Sequence, residues 1–292
     1  MSEWTLGIIG GSGLYDLDGL TDDREVQVDT PWGAPSAPIR SGLLNGVSIV
    51  FLPRHGAGHT IPPDAINYRA NIDALKRAGV TDILSLSACG SLQEQYAPGD
   101  FVIIDQYIDR TRNRAPSFFG QGCVAHVPFA DPVCSRLSSL VADAAETAGA
   151  NVLRGGTYLA MEGPQFSTRA ESRLYRSWRC DVIGMTNMPE AKLAREAELP
   201  YASVAMVTDY DSWRDSGETV DVPAILAVMK RNGVKAKALI SQLTEYLSRT
   251  PRTPSPDGIE QILDTAIVTP PQSRDRVLVS RLDAVAGRVL GE

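Results

Sequence analysis

Apolar residues gather along this 292-residue chain in short runs that end in small or polar clusters. Thr5–Ile9 ends in Gly10-Gly11-Ser12-Gly13, Val47–Leu52 ends at Arg54-His55-Gly56, and Ile83–Leu86 ends at Ser87-Ala88-Cys89-Gly90. Runs of this length, bounded by turn residues, predict buried strands. Phe101–Ile104, Asp181–Gly184 and Tyr201–Val207 read the same way. Helical patterns lie between them. Over Asp64–Ala78 the residues Ile66, Ala70, Ile72 and Leu75 share one side, Lys76 and Arg77 fall in the last turn, and Gly79 is the stop. Arg136–Ala148 is closed by Gly149, and Pro189–Glu198 is a third helix. Asp221–Leu247 is a long fourth, with Asp221 as its N-cap and Gly233 weakening its middle.

Strands alternating with helices predict an α/β fold: a single domain with a mixed, largely parallel central sheet flanked by helices. The domain is expected over residues 1–248. Residues 249–258, with three prolines, read as a linker, and 259–292, helical near Val277–Leu290, as a C-terminal helical appendage packed on the main domain. Hydrophobic content of 43% suffices for one sizeable core.

Charge and cysteine usage narrow the function classes. The formal net charge of −7 argues against nucleic acid or an anionic membrane as partner, so an anionic substrate needs a local positive pocket. Cys89, Cys123, Cys134 and Cys180 form no C-x-x-C pair, and three histidines are too few to join them in a zinc site. Scattered thiols suit a cytoplasmic protein. No basic and apolar leader follows Met1, and no apolar run reaches the roughly 20 residues of a membrane span.

In open α/β sheets, ligands bind beyond the carboxyl ends of the strands. If the strands neighbour one another, their ends bring a glycine-cradled hydroxyl, Arg54-His55, Ser87-Ala88 and the Thr208-Asp209-Tyr210-Asp211 run to one crevice. The glycine turn offers backbone N–H groups and the Ser12 hydroxyl to an oxyanion, although such turns also follow many strands with no ligand. It fails the dinucleotide-binding spacing, because Asp16 stands where the third glycine belongs. Arg54 supplies a planar fork that matches phosphate. His55 and His59 suit anion binding, a basic surface loop or, at helical spacing, a metal pair that lacks a third ligand. Asp209 and Asp211, at i and i+2 on an extended segment, face one way. They read as paired pocket carboxylates, as in a glycoside hydrolase, or as turn caps.

Gly7–Leu14, Arg54-His55-Gly56, His59-Thr60-Ile61-Pro62-Pro63, Asn67-Tyr68-Arg69-Ala70-Asn71, Ala88-Cys89-Gly90-Ser91-Leu92, Glu162-Gly163-Pro164-Gln165-Phe166, Met185-Thr186-Asn187-Met188-Pro189-Glu190 and Thr208-Asp209-Tyr210-Asp211 stand in an order and spacing that resemble the 5′-methylthioadenosine phosphorylases of the purine nucleoside phosphorylase family. The similarity runs from about Gly7 to Leu247 and does not clearly cover the tail. It implies phosphorolysis of 5′-methylthioadenosine to adenine and 5-methylthioribose 1-phosphate, with inorganic phosphate as co-substrate and neither cofactor nor metal. By the resemblance, Ser12, Arg54, His55, Ser87, Ala88 and Thr186 bind phosphate, and Ser12 stands where a threonine is common. Met185 lies under the ribose, Phe166 and Ser167 lie near the purine, and Asp209 and Asp211 read its edge, with Asp209 as the acid. His126, Val222, Ile225 and Leu226 enclose the methylthio group. His126 reaches in from a neighbouring subunit, which implies a homotrimer. Gly184 replaces an asparagine that some members place near the base. A phosphorylase of 6-oxopurine nucleosides, a water-using nucleosidase and a non-catalytic nucleoside-binding protein are the competing readings.

Overall fold

The computed structural model describes residues 3–11, 14, 16–214 and 222–291. In chain order its strands and helices are β1 (Thr5–Gly10), β2 (Thr21–Val26), β3 (Ile39–Leu44), β4 (Val47–Pro53), α1 (Tyr68–Arg77), β5 (Asp82–Ser91), β6 (Phe101–Ile103), β7 (Gln106–Asp109), α2 (Ser135–Thr147), β8 (Val152–Arg154), β9 (Thr157–Ala160), α3 (Arg169–Ser177), β10 (Val182–Gly184), α4 (Glu190–Glu196), β11 (Tyr201–Tyr210), α5 (Val222–Arg249), α6 (Arg276–Arg281) and α7 (Asp283–Leu290). All the strands join one mixed sheet, in which β2-β3-β4-β1-β5-β10-β9-β7 are successive neighbours and β11, β6 and β8 branch from β5. The expected α/β class, with a mixed and largely parallel sheet flanked by helices, is borne out.

Period-2 alternation divides the core between the two faces of the sheet. Ile9, Ile83, Tyr201, Ala205 and Val207 pack with α1, α4 and α7. Leu6, Ile8, Leu84, Leu86, Val204 and Met206 pack with α2 and α5. The expected strand cores are all present, but two of them run further than their apolar runs. β5 continues through Ser87-Ala88-Cys89-Gly90 to Ser91, and β11 continues through Asp209 to Tyr210. Each is extended by pairing with the other along its whole length, with a register shift between Val207 and Asp209. Cross-strand hydrogen bonds there override the weak strand preference of the small and acidic residues.

Other departures have local causes. α1 begins at Tyr68 rather than Asp64, because Ile66 is extended and the Asn67 side chain accepts from the Ala70 amide as the N-cap. α5 runs unbroken through Gly233, while the expected Asp221 cap lies outside the described residues. α3 was absent from the apolar pattern but carries a full capping box, Thr168 with Glu171. The helix expected over the tail divides into α6 and α7 at Leu282.

Residues 249–258 do not hang free. Arg252 pairs with Asp82 at 2.6 Å and with Glu260 at 2.9 Å, and Trp4 Nε1 donates to the Thr250 carbonyl at 2.8 Å. Beyond them α7 lies on α1, with Arg77 paired to Asp283, and Arg288 bonds the buried Glu198 at 2.8 Å.

A close contact fixes one strand end. A Cβ at Gly184 would lie 1.8 Å from the Tyr158 hydroxyl and 2.6 Å from its ring carbon Cζ. Tyr158 rises from β9, the parallel neighbour of β10, and its phenol fills the space over Gly184. Gly184→Ala is expected to lose about 1–3 kcal/mol of stability through overpacking. Tyr158→Phe should relieve only part of that loss, because the ring carbon still clashes. Equilibrium denaturation of both single variants and the double variant measures this coupling, and additive losses would refute it.

Candidate active site

The sheet contains a gap where ligand chemistry collects. β1 pairs with β5 from Leu6–Asp82 to Ile9–Ser85 and then ends at Gly10. β10 takes up the same edge of β5, antiparallel, only at Gly90 and Ser91. Leu86, Ser87, Ala88 and Cys89 therefore have β11 on one side and, among the described residues, no strand on the other. Three segments frame this stretch. Gly10-Gly11 follows β1; Arg54-His55 follows β4, with the Arg54 amide on the Gly10 carbonyl at 3.0 Å. β10 runs into it from the opposite direction and delivers Met185-Thr186. The unpaired stretch thus falls in mid-strand on β5, not beyond its end.

The expected site residues divide accordingly. Arg54, His55, Ser87, Ala88 and Thr186 come together at the gap; all but Ala88 are buried. Ser12 lies outside the described residues. Met185 follows Gly184 directly and packs on Gly163, and its carbonyl accepts from Arg114 Nη1 at 2.7 Å. The same guanidinium holds the Met188 carbonyl at 2.7 Å and the Glu162 carbonyl at 2.8 Å, and so joins the Glu162–Phe166 block to the Met185–Glu190 block.

Arg54 requires a correction. Most of its fork is spent within the protein: Nε meets Glu190 at 2.7 Å, Nη2 meets Glu190 at 2.9 Å and Ser85 Oγ at 2.7 Å, and Nη1 meets the Leu86 carbonyl at 3.2 Å. Of five N–H donors one remains, on Nη1. Both members of the pair are 2% exposed, so the bidentate match expected for phosphate is used on a carboxylate. Glu190 also accepts from Ser85 at 2.7 Å and from Tyr201 at 2.9 Å. Glu190, Arg114 and Tyr158 are missed by the sequence reading. Glu190 and Glu162 stand inside quoted blocks, but nothing in a linear sequence pairs residue 54 with residue 190.

His55 Nδ1 lies 2.8 Å from the Ile61 carbonyl. A carbonyl only accepts, so Nδ1 carries the proton and Nε2 bears the lone pair. Burial, with Arg54 and His59 adding to it, pulls the imidazole pKa down to about 4 against that hydrogen bond. The His55 and His59 rings stack at 4.1 Å, and the described residues hold no group of three metal-ligating side chains.

At the other end of the crevice Asp209 and Asp211 do face one way. Both crowd Gly90, where an added Cβ would lie 3.3 Å from Asp209 Oδ2 and 3.3 Å from Asp211 Cβ. Burial raises the Asp209 pKa to about 6, opposed by the Thr208 hydroxyl and reinforced by the charge of Asp211. Thr208 Oγ1 lies 2.6 Å from Asp209 Oδ1. Asp211 is likewise raised by burial, opposed by the hydroxyls of Ser172 and Ser167, which places Ser167 beside the acids. Phe166 is half exposed nearby in sequence, and on α5 Val222 and Leu226 are exposed while Ile225 is buried. His126 is exposed and tied to the tail, its amide on the Ala266 carbonyl at 2.9 Å. Among the described residues no hydrogen bond, ion pair or ring contact joins it to the acid end.

The chain matches known proteins over nearly its full length. The model of the phosphorylase superfamily matches residues 5–245. The S-methyl-5′-thioadenosine phosphorylase of Cereibacter sphaeroides is 60% identical over 285 residues, 98% of each chain, and that of Bradyrhizobium diazoefficiens is 57% identical over 290 residues, 99% of each. Among solved structures, a methylthioadenosine phosphorylase from an antarctic soil metagenomic library superposes with a TM-score of 0.90 at 45% identity, covering 98% of this chain and 99% of that one. A variant of the adenosine/methylthioadenosine phosphorylase of Schistosoma mansoni, in complex with adenine, gives 0.85 at 36% identity, covering 91% and 99%. The crevice built at the broken edge of β5 thus sits in a chain that belongs to the phosphorylase superfamily and, within it, to the family of the S-methyl-5′-thioadenosine phosphorylases.

Proposed function

We propose that this protein splits 5′-methylthioadenosine with inorganic phosphate, giving adenine and 5-methylthioribose 1-phosphate. The observation that carries the reading is the crevice itself. Segments bearing hydroxyls, an imidazole and the partly used Arg54 fork border the unpaired stretch of β5, and a half-buried carboxyl of raised pKa stands three residues further on at Gly90. Three residues of strand span about 10 Å. That length takes a phosphate at Ser87, a ribose over Met185 and a purine against Asp209. The catalytic unit is assigned to residues 1–248. A cytoplasmic setting belongs to the same proposal, since four buried free thiols suit a reducing compartment.

The chemistry follows from the two ends. As the C1′–N9 bond breaks, its electron pair leaves with the purine and the ribosyl group becomes oxocarbenium-like. Asp209, protonated, gives its proton to N7. Phosphate, held at Ser87, Ala88 and Thr186, stabilises the cation from the other face and forms the C1′–O bond. Positioning and electrostatics supply the acceleration, and no protein nucleophile is needed. Product release from methylthioadenosine, adenosine and inosine, each with and without phosphate, tests the assignment. Adenine should appear only with phosphate, and inosine should be used poorly, because a protonated carboxyl pairs with the amino group and N7 together. Equal turnover without phosphate would refute it.

Asp209 has a second, thermodynamic signature. Its folded pKa is raised from 3.8 to about 6, so the stabilisation it contributes is complete below about pH 4 and is lost as pH rises through 6. Asp209→Asn is therefore expected to gain up to about 3 kcal/mol at pH 8, no more than a trace near pH 4, and to lose most activity. In the unmodified protein kcat/KM should fall about tenfold per pH unit above pH 6. A variant no more stable at pH 8 than at pH 4, by urea denaturation, contradicts the assigned acid.

The finer assembly reading is a homotrimer with shared sites. What supports it is the exposed His126, tied to the tail and without a contact to the acid end among the described residues, together with exposed Val222 and Leu226 on α5. Mixing inactive Asp209→Asn protein with inactive His126→Ala protein should restore part of the activity after subunit exchange. Sedimentation as a monomer at working concentration would end this reading.

A further inference from the structure

Segments that take no part in the crevice enclose another cavity. The loop at 128–131, the last turn of α4 and the tail at 257–265 meet around a volume of about 330 Å³, at the lower end of the size range of small-molecule sites. Arg195 of α4 lines it and is 4% exposed. Its guanidinium donates from Nη1 to the Pro128 carbonyl at 3.1 Å and from Nη2 to the Asp131 carbonyl. A guanidinium has five N–H donors, so three remain, one on each Nη and one on Nε. Among the described residues these three have no acceptor, Arg195 forms no ion pair, and Nε is not closed off from solvent. Arg54, buried to the same degree, is matched by Glu190. A buried guanidinium without such a match is costly, and the donors that Arg195 keeps free border a cavity.

The rest of the lining says what would complete it. Asp131 and Asp257 are exposed at the cavity and have no ion pair among the described residues. Burial pulls the Arg195 pKa down, and these two carboxylates oppose that only at longer range. A third, Asp264, is held by Arg288 at 2.6 Å. Ala130 and Ile262 add apolar wall. We infer that this cavity binds a free α-amino acid, with its carboxylate on the open donors of Arg195, its ammonium at Asp131 and Asp257, and its side chain against Ala130 and Ile262. A zwitterion brings each charge to its opposite. An inorganic dianion would satisfy Arg195 but set its remaining charge against two carboxylates. A simple cation would leave the guanidinium unmatched, and the described residues hold no group of three metal-ligating side chains. The occupant would tie the tail to α4, the helix that begins with Glu190 of the Arg54 pair.

The test is an NMR titration of the full-length, isotope-labelled protein at neutral pH, following the backbone amides of residues 129–131 and 257–265, with glycine, L-leucine, acetate and methylammonium as the probes. Both amino acids should move these resonances, L-leucine binding more tightly than glycine because of the apolar wall. Glycine should bind about 2- to 5-fold more tightly than acetate, the worth of an exposed ion pair. It should bind about 10- to 150-fold more tightly than methylammonium, which forgoes the hydrogen bonds to the charged Arg195. In the double variant Asp131→Asn, Asp257→Asn, both changes at exposed side chains, glycine should weaken and acetate strengthen until the preference is gone. Arg195→Met should abolish the shifts with either amino acid; if that variant does not fold, the double variant decides. Acetate binding as tightly as glycine to the unmodified protein overturns the inference, as does a glycine preference that survives the double variant. So does the absence of any shift at these amides with about 10 mM of either amino acid. None of these outcomes bears on phosphorolysis, which is read at the other site.

Discussion

The buried ion pair of Arg54 and Glu190 is the contact on which the rest of the site depends. It joins the end of β4 to the first residue of α4, and Ser85 of β5 and Tyr201 of β11 complete it. Two charges in a nearly dry interior are tolerated only when every remaining donor and acceptor is met, and here almost all are. The consequences are geometric. Arg54 held in place orients His55, the next residue. Glu190 held in place fixes the end of the Met185–Pro189 segment, which carries the buried Thr186. Removing one partner would leave an uncompensated charge, a loss of about 3–5 kcal/mol, so the pair behaves as a single unit.

Much of the crevice was legible in the sequence, because strand ends are marked by abrupt changes from apolar runs to small and polar residues. Arg54-His55, Ser87-Ala88 and Asp209 were all found by that rule. What it did not convey is where the strands stop. β5 and β11 continue past their apolar runs because each supplies the other's hydrogen bonds, and the small and polar residues at Ser87–Gly90 fall within a strand and not after it. The role of Arg54 was half legible for a related reason. Its fork suits phosphate and carboxylate alike, and the choice is made by a glutamate 136 residues away. Tyr158 over Gly184 is a tertiary contact of the same kind: a glycine in a strand announces a close approach but not what approaches.

The two ends of the crevice are tuned in opposite senses by one cause, burial. At the phosphate end it keeps His55 neutral and the Arg54 charge internally matched, leaving a surface of hydrogen-bonding groups with little net charge. At the acid end it keeps Asp209 protonated above the usual carboxylate range, with Asp211 adding to the effect. Neither end would work in water, where the imidazole would titrate near neutrality and the carboxyl would be ionised.

Phosphate also acts on the acid across the crevice. A unit charge at about 10 Å, with an effective dielectric constant of about 20, interacts with another by roughly 1.7 kcal/mol. That is about one pKa unit per phosphate charge. A phosphate at Ser87, as proposed, would therefore raise the Asp209 pKa beyond its value in the empty site and recruit the proton that the departing purine needs. By linkage the protonated acid favours phosphate to the same extent, so each end of the site prepares the other. A cationic residue open to the phosphate would bind it more tightly but would screen the acid and weaken this coupling. With the Arg54 charge matched by Glu190, little of it is left to oppose that coupling.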